Sequence, residues 1–183
     1  MPAALAGSTA GHIHGLRATC RGEVITPGDD AYDGARRVWN TRFDRRPAVI
    51  VRPADTADVA AAVRWAAAAD LGIGIRGGGH SAAGHSSVEG ALLIDLSSLR
   101  RVTVDPVART ADADGGCQLV DLDQATTAFG LAAPSGTFID TGIGGLTLTG
   151  GLGYLIGAAG FACDALVGAE LVTADGEIHQ VDA

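Results

Sequence analysis

The sequence predicts an α/β (α+β) fold, and three patterns carry the prediction. Short apolar runs of β type at residues 48–51, 73–76 and 92–96 alternate with longer stretches whose apolar residues recur at helical spacing. Two later pairs of short runs flank Asp105 and Pro106, and Asp175 and Gly176, and read as hairpins. Two glycine-dense blocks, residues 76–84 and 141–153, interrupt the order where backbone must turn sharply or approach something closely.

Each element follows from local chemistry. Residues 1–31 are rich in small residues and carry no sustained period, so they read as a flexible leader to a domain over 32–183. Residues 48–51 form the first buried strand. A helix over 56–70 starts at a cap on Asp55 or Thr56, turns Val59, Ala62, Val63 and Ala66 to the core, and ends at Gly72. The strand at 73–76 leads into the first glycine block, and 92–96 is another buried strand. Residues 102–104 and 110–113 pair as a hairpin, and a helix over 118–129 places Leu119, Leu122, Thr126 and Phe129 on one side before Gly130 stops it. A short helix follows the second glycine block, and residues 169–174 and 177–181 form the last hairpin. There is no internal repeat.

Composition bounds the function. With 183 residues, 47% of them hydrophobic, the chain makes one soluble domain and is too short for two full cores. A net charge of −8, with all 13 basic residues arginine and scattered, excludes a nucleic-acid surface. No apolar run approaches the roughly 20 residues that span a bilayer. The start, MPAALAGSTAGHIHG, lacks a basic leader and an apolar core, which gives the expectation of a cytoplasmic protein. Cys20, Cys117 and Cys163 form no CxxC, so neither zinc nor a disulfide framework is expected, and Cys163 reads as a buried free thiol. His80 and His85 have a spacing that suits no metal motif, and His12 and His14 read as solvent-exposed, so no metal is expected.

The chemistry is concentrated in RGGGHS, residues 76–81. Three successive glycines let N–H groups turn inward around an anion such as pyrophosphate, and His80 then stands beside whatever carries the phosphates. A turn followed by a surface histidine fits the same residues. The second block, TGIGGLTLTGGLG at 141–153 with Pro134, Ser135 and Gly136 before it, offers a second wall for a long cofactor. It does not match the Rossmann fingerprint. Gly142 and Gly144, or Gly151 and Gly153, supply the first GxG, but the third glycine is missing and the preceding APSGTFID is a poor buried strand.

At these residues the chain resembles the N-terminal part of FAD-linked oxidases of the berberine bridge enzyme type, in the vanillyl alcohol oxidase and para-cresol methylhydroxylase (PCMH) superfamily. The resemblance runs from about Tyr32 to the C-terminus, through YDGARRVWNTRFDRRPAVIVRP, RGGGHSAAG, LLIDLS, SGTFIDTGIGGLTLTGGLGYL and GFACDALVGAELVTADGEI. It implies a PCMH-type FAD-binding domain of two small sheets with flanking helices, C-terminally incomplete and without a substrate domain.

The resemblance further implies FAD held covalently through His80 alone. The histidine of the first loop in that family bonds to the 8α-methyl of the flavin, and a neutral imidazole, with a reference pKa of about 6.5, is a fair nucleophile. Members with a second link place a cysteine where this chain has Phe138. Arg76, Gly77, Gly78, Gly79, Ser81 and Gly84 are implied on the pyrophosphate, and Thr141, Gly144, Gly145 and Thr147 on phosphate or ribitol. Gly150 and Gly151 would let backbone pass close to the cofactor, Tyr154 would stand near the flavin, and the Val172 backbone would meet adenine. Two departures stand out. YLIGAAG at 154–160 lacks the family's basic residue, and Thr149 replaces a usual glycine and is expected to crowd the cofactor.

The implied activity is oxidation of a substrate C–H by hydride transfer to flavin, with O2 reoxidising the flavin to give H2O2; sugars, alcohols and alkaloid-like amines are the family's substrates. No catalytic residue is assigned, because the proton-removing group usually lies in later parts of the family's chains, and Asp140, Asp164 and Glu170 read as capping or surface carboxylates. Three other readings stay open: a non-catalytic flavin-binding fragment, one chain of a split enzyme whose partner supplies the substrate domain, and a noncovalent reductase.

Overall fold

The most apolar stretches of the chain become the central strands of a four-stranded sheet. The computed structural model describes residues 8–182. In chain order its first elements are α1 (Ser8–Thr19), β1 (Glu23–Ile25), α2 (Tyr32–Ala35), β2 (Val49–Arg52), α3 (Thr56–Ala68), β3 (Ile73–Arg76) and β4 (Leu92–Asp95). The strands lie in the order β1-β2-β4-β3. β4 runs parallel to both β2 and β3, and β1 closes one edge antiparallel to β2.

Both faces of the inner strands are covered, as a parallel sheet requires. Val49, Val51, Leu92 and Ile94 point into a core with Leu16 of α1 and Ala62, Val63 and Ala66 of α3. Ile50 and Leu93 point the other way, onto Ile25, Tyr32 and Ala35. α3 begins where expected, with the Asp55 side chain accepting from the Asp58 N–H. Its end differs. Asp70, at φ 54°, turns the chain out of the helix two residues before Gly72, in a left-handed conformation that aspartate tolerates.

The leader reading is corrected for residues 8–31, while residues 1–7 and the His12 side chain lie outside the described residues. Leu16 and Cys20 are buried, and β1 is a sheet strand. The Asp58 carboxylate ties this segment down, accepting N–H groups of Arg21 at 3.0 Å, Gly22 at 2.8 Å and Ala54 at 2.9 Å. Burial alone would raise the Asp58 pKa, but these N–H donors and nearby Arg21 outweigh it and hold the carboxyl below its ordinary value.

Beyond the sheet come β5 (Val102–Asp105), β6 (Thr110–Ala113), α4 (Leu119–Thr127), α5 (Ile143–Leu148), α6 (Ile156–Ala159), β7 (Gly168–Val172) and β8 (Ile178–Asp182). β5 with β6 and β7 with β8 are two-stranded ribbons, so the expected small sheets resolve into one sheet of four strands and two hairpins. The second glycine block contains helix α5. α4 buries Leu119, Leu122 and Thr126, but Phe129 lies past its end, before the Gly130 turn at φ 67°, and is exposed. Cys163 is also exposed, correcting its reading as a buried thiol, whereas Cys20 and Cys117 are buried and all three are free.

Candidate functional site

β3 and β4 end side by side, and Arg76 pairs with Asp95 in register. Arg76 Nε donates to Asp95 Oδ1 at 3.1 Å and Nη2 to Oδ2 at 2.6 Å, while Arg52 Nε reaches Oδ2 at 3.0 Å. Arg76 also donates to the carbonyls of Ala35 and Arg37. Its guanidinium therefore anchors the strand end and the lead-in after α2, with four of its five N–H donors committed inside the chain. Burial alone would raise the Asp95 carboxyl, but the two arginines outweigh it and hold the group below the usual carboxylate range.

From that anchor the chain enters Gly77, Gly78 and Gly79. Gly79 has φ 76°, in the left-handed region where L side chains are strained. The N–H groups of Gly78, Gly79 and His80 have no hydrogen-bond partner among the described residues. Ser81 and Gly84 shape the far side of the loop. Ser81 Oγ accepts from the His85 N–H at 3.0 Å, and Gly84, at φ 79°, sits against the Phe43 ring.

The second loop is strapped along the start of α4. The Leu119 N–H donates to Thr141 O at 3.0 Å, Val120 N–H to Ile139 O at 2.9 Å and Ile143 N–H to Cys117 O at 2.9 Å. This brings the two glycine blocks into backbone contact. A Cβ on Gly142 would lie 2.7 Å from Gly78 Cα and closer still to its nitrogen, and a Cβ on Gly78 would lie 2.6 Å from Gly142 Cα. Only glycine allows that approach.

Two residues beyond Gly78 and two before Gly142, His80 and Asp140 face each other, with Nε2 3.4 Å from Oδ2. Trp39 stacks on the imidazole, with ring centroids 5.3 Å apart and planes 20° from parallel. The Trp39 backbone N–H donates to Gly79 O at 3.3 Å, which ties this residue to the loop. Sequence reasoning placed His80 here but missed Trp39; it read Asp140 as a capping or surface carboxylate, and Asp140 is exposed, but its place beside His80 was not foreseen. The signal for Asp140 is its offset from Gly142, which acquires meaning only once the two loops are known to touch.

Gly144, Gly145 and Thr147 lie on α5, and Gly150 and Gly151 follow it at φ 105° and 78°. Thr149, at the C-terminal end of α5, folds its hydroxyl back to donate to Gly145 O at 2.8 Å. Tyr154 is 86% exposed. Val172 ends β7 and packs on the core of α1 and α3. No hydrogen bond joins it to the glycine loops among the described residues. No cluster of three metal-binding side chains occurs among the described residues. No helix there is long and apolar enough to cross a membrane.

A cavity of about 200 Å³ opens beneath the first loop, lined by Arg37, Trp39, Arg52, Ser97, Arg100 and Gln118 with the glycines at its rim. Free backbone N–H groups, glycines at the rim and arginines below suit a diphosphate at the carboxyl ends of parallel strands. These features define a dinucleotide-cofactor domain outside the Rossmann class, with an imidazole held at the cofactor loop.

Known proteins give that class its chemistry. The chain matches the FAD binding domain family over residues 47–182. The (R)-6-hydroxynicotine oxidase of Paenarthrobacter nicotinovorans is 37% identical over 158 residues, which is 86% of this chain and 34% of that protein. The crystal structure of 6-hydroxy-D-nicotine oxidase from Arthrobacter nicotinovorans superposes with a TM-score of 0.88 at 36% identity, covering 89% of this chain and 36% of that one. Glucooligosaccharide oxidase of Acremonium strictum, which carries a 6-S-cysteinyl, 8α-N1-histidyl FAD, gives 0.84 at 32% identity over 93% of this chain and 36% of its own. The berberine bridge enzyme-like protein 1 of Physcomitrella patens gives 0.84 at 28% identity, over 93% and 37%. The chain belongs to the FAD binding domain family and is similar in sequence to FAD-linked oxidoreductases, and its cofactor is FAD. It spans about a third of the length of the relatives it matches.

Proposed function

We propose that this chain is the FAD-binding part of an oxidase in which His80 carries the flavin covalently, through a single bond to its 8α-carbon. The observation that supports it best is His80 itself, at the end of the glycine loop with its imidazole held against Trp39 and its side chain only 21% exposed. When bound, FAD supplies the acceptor for hydride from a substrate C–H and, with O2, converts those electrons to H2O2.

The chain's own residues bind and place that group. The N–H groups of Gly78, Gly79 and His80 receive the pyrophosphate, and the Gly78–Gly142 contact fixes the distance between the two loops that flank it. Phe138 offers no thiol for a second bond. Ser81, Gly84, Thr141, Gly144, Gly145 and Thr147 shape the walls, and Arg76 acts through Asp95, holding the loop's root.

The substrate-bearing part covers an apolar surface that is open in this chain. Ile139, Leu148, Leu152 and Val167 are exposed on the second loop and the segments after it. Isolated exposed apolar residues are ordinary, but a run of this kind beside a cofactor loop suits a covering domain, on the same polypeptide or on a separate chain. Small-molecule substrate and O2 are then its partners. Expression with ample FAD tests the reading. Wild-type protein should stay yellow through acid precipitation, while His80→Ala should release all its flavin. Colourless wild-type precipitate would overturn it.

A further inference from the structure

Resting on that reading, we infer that Asp140 is a positioning residue for attachment of the flavin: its carboxylate orients His80 through Nε2 and leaves Nδ1 as the nucleophilic nitrogen. Three observations meet at this point. Asp140 Oδ2 lies 3.4 Å from His80 Nε2. No hydrogen bond to either ring nitrogen occurs among the described residues, and Nε2 is the nitrogen set beside the carboxylate. The Trp39 ring, nearly parallel to the imidazole, restricts its rotation from the face while Asp140 acts on its edge. The juxtaposition is built in, because the Gly78–Gly142 contact brings residues two positions away on each loop opposite each other.

The chemistry needs such a group. An imidazole has one donor and one acceptor nitrogen when neutral, and the partner of one nitrogen sets the role of the other. A carboxylate beside Nε2 keeps the proton there, so the Nδ1 lone pair is available. In the bond-forming step that lone pair makes the N–C bond to the 8α-carbon, and the 8-methyl loses one proton. The electron pair of the broken C–H bond passes to the flavin ring system, which becomes reduced by two electrons. Positive charge builds on the imidazole as the bond forms, the carboxylate stabilises it, and the Nε2 proton leaves to solvent. The protons lost from methyl and imidazole balance the two electrons gained. O2 then takes both electrons and two protons as H2O2, leaving oxidised, tethered flavin.

The test mixes the apo chain with FAD and follows two signals separately: flavin bound at equilibrium, and flavin that stays with the protein after acid. Asp140→Asn keeps the shape and removes the charge, and Asp140→Glu restores the charge on a longer stem. Asp140→Asn should slow the acid-stable signal, scaled to bound FAD, about ten- to a hundredfold, at and below the low end for a proton-handling side chain because Asp140 acts only by orienting His80 and is more than half exposed. Asp140→Glu should recover much of that loss, which a purely structural residue would not do, and Trp39→Ala should slow the same signal. Asp140→Asn attaching flavin at the wild-type rate would overturn the inference and leave the His80 tether standing. Wild-type protein that binds FAD without ever making it acid-stable would overturn both.

Discussion

Replacing Gly142 by alanine isolates the contact that builds the site. The new methyl would sit 2.7 Å from Gly78 Cα and nearer its nitrogen, and both neighbours are backbone that cannot rotate away. Ordinary contact begins near 3.4 Å, so the loops must part by about 1 Å, and overpacking of this kind costs about 2 kcal/mol. For a chain of this size that lowers Tm by about 4–8 °C. The same displacement takes Asp140 away from His80, and a misplacement of about 1 Å at a reacting group lowers rates by about a hundredfold. Gly157→Ala is the control, since a methyl there meets nothing within 4 Å and lies in helix α6. It should be neutral or stabilise by up to about 1 kcal/mol. Thermal melts and acid-stable flavin, read on both variants, settle the matter. A Gly142→Ala protein with wild-type Tm and wild-type attachment would refute the idea that the touching loops set the site.

Two further outcomes follow from the buried groups. Asp95→Asn removes the partner of two arginines at the root of the loop and should cost about 3 kcal/mol, with Tm falling by about 6–12 °C. Because the folded Asp95 pKa lies below the unfolded value of about 3.9, its contribution is present above that value and is lost as pH falls through the folded pKa. Denaturant melts between pH 2.5 and 6 should therefore steepen at the acid end in wild type and flatten there in Asp95→Asn, and parallel curves would contradict this. Burial pushes the thiols of Cys20 and Cys117 up to about 11, while Cys163 is exposed. Iodoacetamide at pH 8 should thus modify Cys163 alone in the native protein, and early labelling of Cys117 by peptide mass would contradict the burial of the α4 lead-in.

What was legible in the sequence divides by the range of the interaction. β2 and β4 announced themselves because fully buried strands need unbroken apolar runs, and Val49 to Val51 and Leu92 to Ile94 supply them. Asp55 marked the start of α3 through a bond only three residues long. The segment before residue 32 was illegible because its anchor, Asp58, lies 37 and 36 residues from Arg21 and Gly22. Cys163 was read as buried because a free thiol ordinarily packs inward, and Phe129 was grouped with Leu119 and Leu122 by helical spacing alone, yet this chain leaves both exposed. His80 was found through the glycines around it. The anchoring bond of Arg76 was illegible because its partner, Asp95, is fixed only by strand register. Trp39 and Asp140 reach His80 from separate segments, and neither carries a local pattern that marks it.

The central claim is that His80 is the residue that carries flavin, and peptide mapping of the acid-denatured protein tests it directly. Trypsin cuts after Arg76 and Arg100, so His80 and His85 fall in one peptide, residues 77–100, and fragmentation distinguishes them. One flavin adduct on His80, with none on His85 or on Cys163, is the predicted result. An adduct on any other residue, or an unmodified 77–100 peptide from yellow protein, would contradict it.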